Sequence, residues 1–400
     1  MARVSPTAFV RERKLPLPRL VAFLLNAPRS GLQSELDAFF DHALDTDASR
    51  PLTKSALCQA RRQLQPAALR ALLSHSADVF TAHTQAQPWH GRRVLAVDGT
   101  TLRVPKVPEC ASFFGGMHMA TGGFRPLARA SGLFDVARGA FVDARIGRYD
   151  EDERSLAREH LPQMGAGDLL LMDRGYPARE FFHALIRRGT DFCARISDAS
   201  WSAVARFADG DLDDAVVDLG EAGAPLPLRL LRLDRPGGEP LILATTVLDR
   251  AVIRRDFEQL YRTRWCIEEG FKLIKARLQV ENWSGLLPHT VEQDFYANLL
   301  RANCAAVIAC EVRPEEACVD PERGLDRRGW RQRLNRSRVI KSLRHFLPRI
   351  LLGIALDSVI ERLLERLRAP GAIECTRPDR HAARRSGVRI ADFHWAYKAA

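Results

Sequence analysis

The stretch that decides the fold is Gly167-Asp-Leu-Leu-Leu-Met-Asp-Arg-Gly-Tyr176. A short apolar run that stops at Asp and Gly is typical of a strand buried on both faces, as in sheets covered by helices. A second strand is predicted in Arg93-Val-Leu-Ala-Val-Asp-Gly-Thr-Thr-Leu-Arg-Val-Pro105, with a turn near Gly99. Asp98 and Asp173 follow the two apolar runs. Because active sites of open α/β sheets gather at strand ends, these two carboxylates are candidate site residues.

The elements around the two strands complete the prediction of an α/β fold. Strands are expected over 128–136 and 140–146, joined by a turn at Gly139, and helices over 151–164 and 178–188. Short strands are then predicted at 192–196, 215–219, 226–233 and 241–248. Residues 1 to about 85 and the chain from about Arg254 to its end are predicted to be helical. The order indicates an α/β domain with a β-rich insertion, flanked by helical regions.

Composition limits the classes of partner. A chain of 400 residues is too long for one small core, so several folding units are expected. The net charge of +11 favours a polyanionic partner, either nucleic acid or an anionic membrane surface. Arginine outnumbers lysine, which suits phosphate binding but equally fits a GC-rich genome, so this excess alone decides nothing.

Several classes are disfavoured by what the sequence lacks. No apolar run approaches the roughly 20 residues of a membrane span, and the first residues do not resemble a secretion signal. The eight cysteines form no C-x-x-C pair, which argues against a zinc ribbon or a disulfide framework and for reduced thiols in a cytosol. No H-E-x-x-H motif is present, so a zinc hydrolase is not expected.

A third carboxylate lies in Tyr261-Arg-Thr-Arg-Trp-Cys-Ile-Glu-Glu-Gly-Phe-Lys-Leu-Ile-Lys275. On a regular helix of about 100° per residue, one stripe about 60° wide carries Tyr261, Arg264, Glu268 and Lys275. An adjacent apolar stripe, which would dock on the sheet, consists of Phe257, Leu260, Ile267, Phe271, Ile274 and Leu278. The spacing alone fits two interpretations: an amphipathic helix with an i,i+4 pair, or a helix that presents a carboxylate to a site.

Other motifs also leave alternatives open. A helix beginning near Thr53 presents Lys54, Gln59, Arg61 and Arg62 on one face, which is either a DNA-recognition surface or a solvated basic face. Trp201 is either a core residue, the interpretation we favour, or a platform for a DNA base. The basic stretches at 323–349 and 380–389 are either DNA-contacting or solvated.

The order of these residues resembles a known family. The pattern Tyr-x2-Arg-x3-Glu-x6-Lys is met without a gap from Tyr261 to Lys275, and it is similar to the signature of the insertion-sequence-four transposases. Val97-Asp-Gly-Thr-Thr and Met172-Asp-Arg-Gly-Tyr resemble that family's two aspartate motifs, and residues 11–40 resemble its N-terminal domain. The similarity extends over roughly residues 8–310, a span judged from these motifs.

The resemblance implies a DDE transposase with a ribonuclease H-like core. It implies two Mg²⁺ ions, with Mn²⁺ as a substitute, bridged by Asp98 and completed by Asp173 and Glu268. Tyr261, Arg264 and Lys275 would hold phosphates of the transposon end. The expected partners are double-stranded DNA, as transposon ends and target, and a second copy in a homodimeric DNA complex; no membrane is involved, and the location is the bacterial cytoplasm, on the nucleoid when DNA is bound.

The same resemblance gives five predicted segments. They are a helical DNA-binding domain (1–88), the first part of the core (89–190), the β-rich insertion (191–250), the second part of the core with the Glu268 helix (251–312), and a helical basic region (313–400). Two other functions compete with an active transposase: a catalytically silent DNA-binding regulator derived from one, and a ribonuclease H-like nuclease without strand transfer.

Overall fold

The computed structural model describes residues 3–5, 7–10, 15–26, 31–43, 52–120, 122–197, 201–221, 223–234, 239–312, 331–369 and 372–376. The chain divides into two compact units, one formed by residues 1–69 with 274–400 and the other by residues 70–273. Helix α4 (Pro66–His83) crosses the first of these boundaries. The predicted five segments divide the chain by function, and that division stays a prediction.

The unit of residues 70–273 is built on one sheet. Its strands are β1 (Arg93–Arg103), β2 (Gly116–His118), β3 (Phe124–Asp135), β4 (Ala140–Arg148), β5 (Asp168–Met172), β6 (Asp191–Arg195), β7 (Asp214–Asp218), β8 (Pro227–Leu233) and β9 (Leu241–Thr245). The order is β2-β3-β1-β5-β6-β9-β8-β7, and β4 also pairs with β3. The central part, β4-β3-β1-β5-β6, has three antiparallel strands followed by two that run parallel to β1. The expected ribonuclease H-like α/β fold is confirmed.

Helices cover the sheet on both faces. They are α5 (Pro108–Phe114), α6 (Glu153–Arg158), α7 (Arg179–Arg187), α8 (Ser202–Asp209), α9 (Arg254–Arg262) and α10 (Trp265–Lys272). On one face the core includes Leu95 and Val97 of β1 and Phe182 of α7, whose ring stacks on Phe192 with centroids 4.3 Å apart. On the other face α10 packs against β1 and β3. The sheet is therefore the fixed layer on which the candidate residues are placed.

The segment after β5 contains the strands predicted there. Strands β6 to β9 lie within a few residues of the four predicted ranges, since each is a short apolar run between turn residues. Helix α8 was not predicted, and all four strands join the sheet of β1 and β5. The segment predicted as a β-rich insertion thus extends the sheet that carries Asp98.

The unit of residues 1–69 and 274–400 is mainly helical. Its helices are α1 (Leu17–Leu25), α2 (Leu32–Ala38), α3 (Lys54–Arg62), α11 (Pro288–Glu311), α12 (Arg336–Leu351) and α13 (Leu356–Arg368). Helix α1 packs on α11 and α12. Thr53 caps α3 as predicted, because its hydroxyl accepts a hydrogen bond from the amide of Ala56 at 3.2 Å. The expectation of helix to the end of the chain is wrong, since β10 (Arg331–Leu334) and β11 (Ile373–Thr376) form a two-stranded sheet.

The predicted basic face of α3 is wrong at one position. Arg61 is buried, and its guanidinium donates to Gln293 at 2.8 Å, to Ser284 at 2.6 Å and to Asp294 at 2.9 Å. Such partners, more than 200 residues away along the chain, are invisible in a helical projection. Lys54, Gln59 and Arg62 are exposed, whereas residues 323–330 and 380–389 lie outside the described residues.

Candidate active site

Asp98 lies inside a long strand and not at a strand end, which corrects the predicted turn at Gly99. Strand β1 continues to Arg103 because β3 pairs with it from Leu95 to Arg103. On its other side β1 pairs with β5 only as far as Ala96. Asp98 therefore occupies the notch that opens in the sheet where β5 stops, and its side chain is 22% exposed there.

Asp173 follows β5 directly and lies beside Asp98. Ala96 is paired with Leu171 in the parallel register, so two residues further along each strand brings Asp98 opposite Asp173. A turn then returns the chain, closed by a hydrogen bond from the amide of Tyr176 to the carbonyl of Asp173 at 3.1 Å. The two aspartates that the sequence placed on neighbouring strands are thus adjacent in the structure.

Glu268 is brought to the same notch by α10. The helix approaches the sheet closely at Gly270, where an added Cβ would lie 3.1 Å from the Phe134 ring and 3.2 Å from the Phe141 ring. Phe271 anchors the next position, with its ring 5.6 Å from that of Phe141. This contact leaves Glu268, two residues earlier and 28% exposed, at the rim of the sheet.

The helix that carries Glu268 is not regular, so the predicted stripe is only partly correct. Helix α9 ends at Arg262, and the amides of Thr263 and Arg264 bond to carbonyls three residues back, to Leu260 at 2.9 Å and to Tyr261 at 3.1 Å. This tighter winding places Arg264 almost above Tyr261. Residues 273–277 then form a π-helical turn, in which the assumed rotation per residue no longer applies.

Arg264 is a buried cation beside two of the carboxylates. Only 5% of the residue is exposed, and its guanidinium Nη2 lies 2.9 Å from Glu268 Oε1 while Nη1 lies 3.9 Å from Asp98 Oδ2. Its Nε and Nη1 are buried and have no hydrogen-bond partner among the described residues. Buried donors without acceptors are costly, so the site has unused capacity for an oxygen-rich ligand.

The carboxylates are crowded and partly desolvated. Burial raises the pKa of Asp98 to about 6; the Gly99 amide and Arg264 oppose this shift, and the charges of Glu268 and Glu153 add to it. The Arg264 guanidinium therefore does not cancel the effect of burial and of like charges on Asp98. A further cation at this place would relieve that repulsion.

Tyr261 acts on Asp173 in this structure. Its buried hydroxyl lies 3.2 Å from Asp173 Oδ1 and 3.3 Å from the carbonyl oxygen of Met172. Burial and the charge of Asp173 raise its pKa, so the phenol stays protonated and orients the carboxylate. Its predicted contact with DNA phosphate stays a prediction.

Lys275 is the one candidate outside the unit that holds the other five. It lies in the π-helical turn Leu273–Arg277, at the start of the segment that belongs to the mainly helical unit. Lys275 is half-buried. Its predicted contact with DNA phosphate also stays a prediction.

Three further residues at the site were missed by the sequence. Arg195, at the end of β6, has its Nη1 3.7 Å from Asp173 Oδ1. Glu153 lies against Gly99, where an added Cβ would be 3.2 Å from its carboxyl carbon, and it pairs with Arg129 at 2.5 Å. Tyr176 is buried nearby. Arg195 had a signal in the sequence as a charged residue at the end of an apolar strand, and Tyr176 had one as the last residue of the second aspartate motif.

The carboxylates suit divalent cations by their chemistry. Among the described residues, no three His, Cys, Asp or Glu side chains are close enough together to hold one metal ion. Mg²⁺ does not need such a cage, because it is usually bound through one or two carboxylates with waters completing its octahedron. Asp98, Asp173 and Glu268 offer carboxylate oxygens around an undercompensated negative charge, which fits Mg²⁺.

A second arrangement resembles a hydrolytic triad but has another role. The His160 ring lies 2.9 Å from Asp143 and 3.0 Å from the Ser131 hydroxyl. All three residues are at most 1% exposed, so no substrate can reach them. Arg70 and Arg145 also pair with Asp143. Ser131 lies on β3 and Asp143 on β4, so the network braces β3, the strand that pairs with β1 at Gly99 next to Asp98.

Trp201 follows the core interpretation. It precedes α8, its ring lies 5.9 Å from that of Phe182, and the Arg179 guanidinium lies 4.8 Å above it. In contrast, Trp265 is 46% exposed next to Arg264 and was not singled out from the sequence.

Three carboxylates meet on a ribonuclease H-like sheet, and comparison with known proteins identifies the family to which this chain belongs. Residues 89–304 match the family described as the transposase DDE domain, which is more than half of the chain. The chain therefore belongs to the transposase DDE domain family. It is 26% identical over 319 residues to the transposase InsG for insertion sequence element IS4 of Escherichia coli, covering 75% of this chain and 71% of that protein. The predicted resemblance is thereby confirmed.

One comparison concerns a solved structure. The cryo-EM structure of the piggyBac transposase synaptic complex with hairpin DNA aligns with a TM-score of 0.46 and 10% sequence identity. The alignment covers 92% of this chain and 75% of that chain. Separately, no helix within the described part of the chain combines the length and the apolar character that a membrane span requires.

Proposed function

We propose that this transposase binds the ends of its element, cleaves them by metal-dependent hydrolysis, and joins the freed 3′-hydroxyl to target DNA. The observation that carries the proposal is the meeting of Asp98, Asp173 and Glu268 around the Arg264 guanidinium, in the notch where β5 ends. The proposal includes a homodimer in the DNA complex, because two element ends are joined in one event. It also places the reaction in the bacterial cytoplasm, on nucleoid DNA.

Asp98, Asp173 and Glu268 would hold two Mg²⁺ ions. When bound, the ions supply activation of the attacking oxygen and stabilisation of the leaving oxygen in an in-line displacement. In the first reaction a water oxygen forms a bond to phosphorus, the P–O3′ bond breaks, and the water proton is released while the 3′-oxygen takes one up. In the second reaction the 3′-oxygen attacks a target phosphate and displaces a target 3′-hydroxyl.

The chain's own residues position the DNA and the carboxylates. Arg264 has buried N–H groups without acceptors beside the carboxylates, which suits a fork-like grip on a phosphate. Tyr261 holds Asp173 through its hydroxyl at 3.2 Å. Lys275 would add a point charge on the end, at a place where a flexible ammonium tolerates a range of phosphate positions.

The test uses the full chain and a duplex carrying the inverted repeat that flanks its gene. Asp98→Ala, Asp173→Ala and Glu268→Ala are each expected to abolish Mg²⁺-dependent cleavage while leaving end binding largely intact. Glu269→Ala is the matched control, because Glu269 follows Glu268 in the chain and is exposed. Its carboxylate pairs with the Lys272 ammonium at 2.7 Å. The Glu269→Ala variant should cleave as the wild type does.

Two outcomes would contradict the proposal in different ways. Cleavage retained in one carboxylate variant would remove that residue from the metal site. End binding without cleavage or strand transfer by the wild type, under Mg²⁺ and under Mn²⁺, would favour the silent DNA-binding regulator.

A further inference from the structure

Tyr176 has a feature that the proposed mechanism does not use. The residue is 2% exposed, yet its hydroxyl is buried without a hydrogen-bond partner within the described part of the chain. Leaving a buried hydroxyl unpaired is costly, so such groups usually indicate a water, an ion or a function. The nearby Tyr261 differs, because its hydroxyl has two acceptors within 3.3 Å.

The backbone fixes Tyr176 relative to the active site. It follows Asp173 by three residues, and its amide bonds to the Asp173 carbonyl at 3.1 Å in the turn that ends β5. Its ring belongs to the core beneath the sheet, together with Val97 and Phe181. The hydroxyl therefore cannot move to solvent without opening that core.

The charges around the hydroxyl define what it can bind. Burial raises the pKa of Tyr176, and the negative charges of Asp98, Glu153 and Asp173 raise it further, so the phenol remains a hydrogen-bond donor. Three carboxylates and one guanidinium, that of Arg264, act on this hydroxyl, so the net negative charge disfavours a phosphate here. A neutral water is not repelled by the carboxylates, and its oxygen can accept a hydrogen bond from the Tyr176 hydroxyl. The carboxylates would attract a cation that polarises this water.

We propose that Tyr176 is a positioning residue whose hydroxyl donates a hydrogen bond to a water ligand of the divalent cation held at Asp98 and Asp173. This inference rests on the proposed function, since it presumes a cation at these carboxylates. Glu153 lies against Gly99, and in this proposal its carboxylate accepts a hydrogen bond from the same water. Tyr176 thereby sets the orientation of the cation's waters without touching the DNA.

The experiment compares Tyr176→Phe with Tyr149→Phe in the full chain. Each change removes one hydroxyl and keeps the ring, but the Tyr149 hydroxyl is exposed and contacts Met117 Sδ at 3.9 Å. Binding of Mn²⁺ without DNA is measured from the resonance of the free ion, and binding of the end duplex is measured in EDTA. Thermal melts report folding with and without Mn²⁺.

Tyr176→Phe is expected to weaken Mn²⁺ binding about threefold to tenfold, the loss of one hydrogen bond. End binding in EDTA should not change, and Tyr149→Phe should match the wild type in both assays. In the metal-free melt Tyr176→Phe should raise Tm, because an unpaired buried hydroxyl is removed, and the further rise on adding Mn²⁺ should be smaller than in the wild type.

Equal Mn²⁺ affinity in Tyr176→Phe and wild type would overturn the inference. Weaker end binding in EDTA with unchanged Mn²⁺ affinity would overturn it in favour of a phosphate contact. If Tyr176→Phe does not fold, Glu153→Gln replaces it, and unchanged Mn²⁺ affinity in that variant overturns the inference. Failure of the proposed function would look different, because the wild type itself would then bind no Mn²⁺ and cleave no DNA.

Discussion

Replacing Arg264 with Gln should have opposite effects on cation binding and on DNA cleavage. The guanidinium lies 2.9 Å from Glu268 Oε1 and 3.9 Å from Asp98 Oδ2, so it already neutralises part of the charge that a divalent cation would use. Arg264→Gln removes the positive charge but keeps a side chain that can donate to Glu268. We therefore expect tighter binding of Mn²⁺ by the free protein, together with weaker cleavage, because the grip on phosphate is lost.

The magnitude follows from the distance. Two unit charges 3.9 Å apart interact by about 4 kcal/mol at an effective dielectric constant of about 20. Asp98 and Glu268 are 22% and 28% exposed, so solvent screens the interaction, and we expect no more than about half to two-thirds of that energy. An effect of about 2 to 2.7 kcal/mol corresponds to roughly thirtyfold to hundredfold tighter Mn²⁺ binding.

The assay is a Mn²⁺ titration of the full chain without DNA, followed by cleavage of the end duplex at saturating Mn²⁺. Arg262→Gln is the matched control, because it also removes one positive charge close by in the chain. The Arg262 side chain is 75% exposed and pairs with Glu258. A melting curve of each variant establishes that it is folded.

Unchanged or weaker Mn²⁺ binding by Arg264→Gln would refute the electrostatic reasoning. The same would follow if Arg262→Gln tightened binding equally, since the effect would then reflect net charge and not the site. Full cleavage by Arg264→Gln would show that Arg264 is not needed to bind the DNA phosphate. It would not bear on the expectation that Arg264 weakens binding of a divalent cation.

Three more outcomes are expected. Lys275→Ala should impair later end processing and strand transfer more than first-strand nicking, and it should lower the salt slope of end binding by about one unit; normal strand transfer with unchanged salt dependence would remove Lys275 from the DNA contact. Asp143→Ala removes the buried carboxylate that His160 contacts and one of the acceptors of Arg145, which keeps Glu159. It should therefore lower the free energy of unfolding by about 3–5 kcal/mol and Tm by about 10 °C, measured calorimetrically; a shift below about 2 °C would contradict the bracing role. Burial raises the pKa of Glu292 to about 7, so its contribution to stability is present below its unfolded value and is lost as pH rises through about 7. Glu292→Gln should therefore raise stability by about 1 kcal/mol at pH 8.5 and leave it nearly unchanged at pH 5, and equal melting shifts at both pH values would contradict this.

Much of the sheet could be predicted because each strand carries its own signal. The run before Asp173 is apolar without interruption, and the structure buries every residue of β5. Gly139, predicted as a turn, has a φ of +68°, a conformation that favours glycine. The meeting of the three carboxylates and Arg264 was also expected from the family pattern, and the structure brings them together where α10 packs on the sheet. Their roles in catalysis stay a prediction.

What could not be predicted depends on partners far along the chain. β1 runs past Gly99 because β3 pairs with it, and nothing near Gly99 in the sequence reports that pairing. Arg61 looked like part of an exposed basic face, but Gln293 and Asp294 bury it. The tight junction at Thr263 likewise contains neither Gly nor Pro, so a regular helix was the expected structure.

The distribution of the three carboxylates along the chain has a consequence for synthesis. Asp98 and Asp173 come together as soon as β1 and β5 pair, but Glu268 is about 95 residues further on and follows β6 to β9. At about 5–20 residues per second, a ribosome needs roughly 5–20 seconds to add that stretch. During this interval the nascent chain has two of its three carboxylates. Chains whose translation stops before α10 lack Glu268, so under the proposed function they are expected not to cleave DNA.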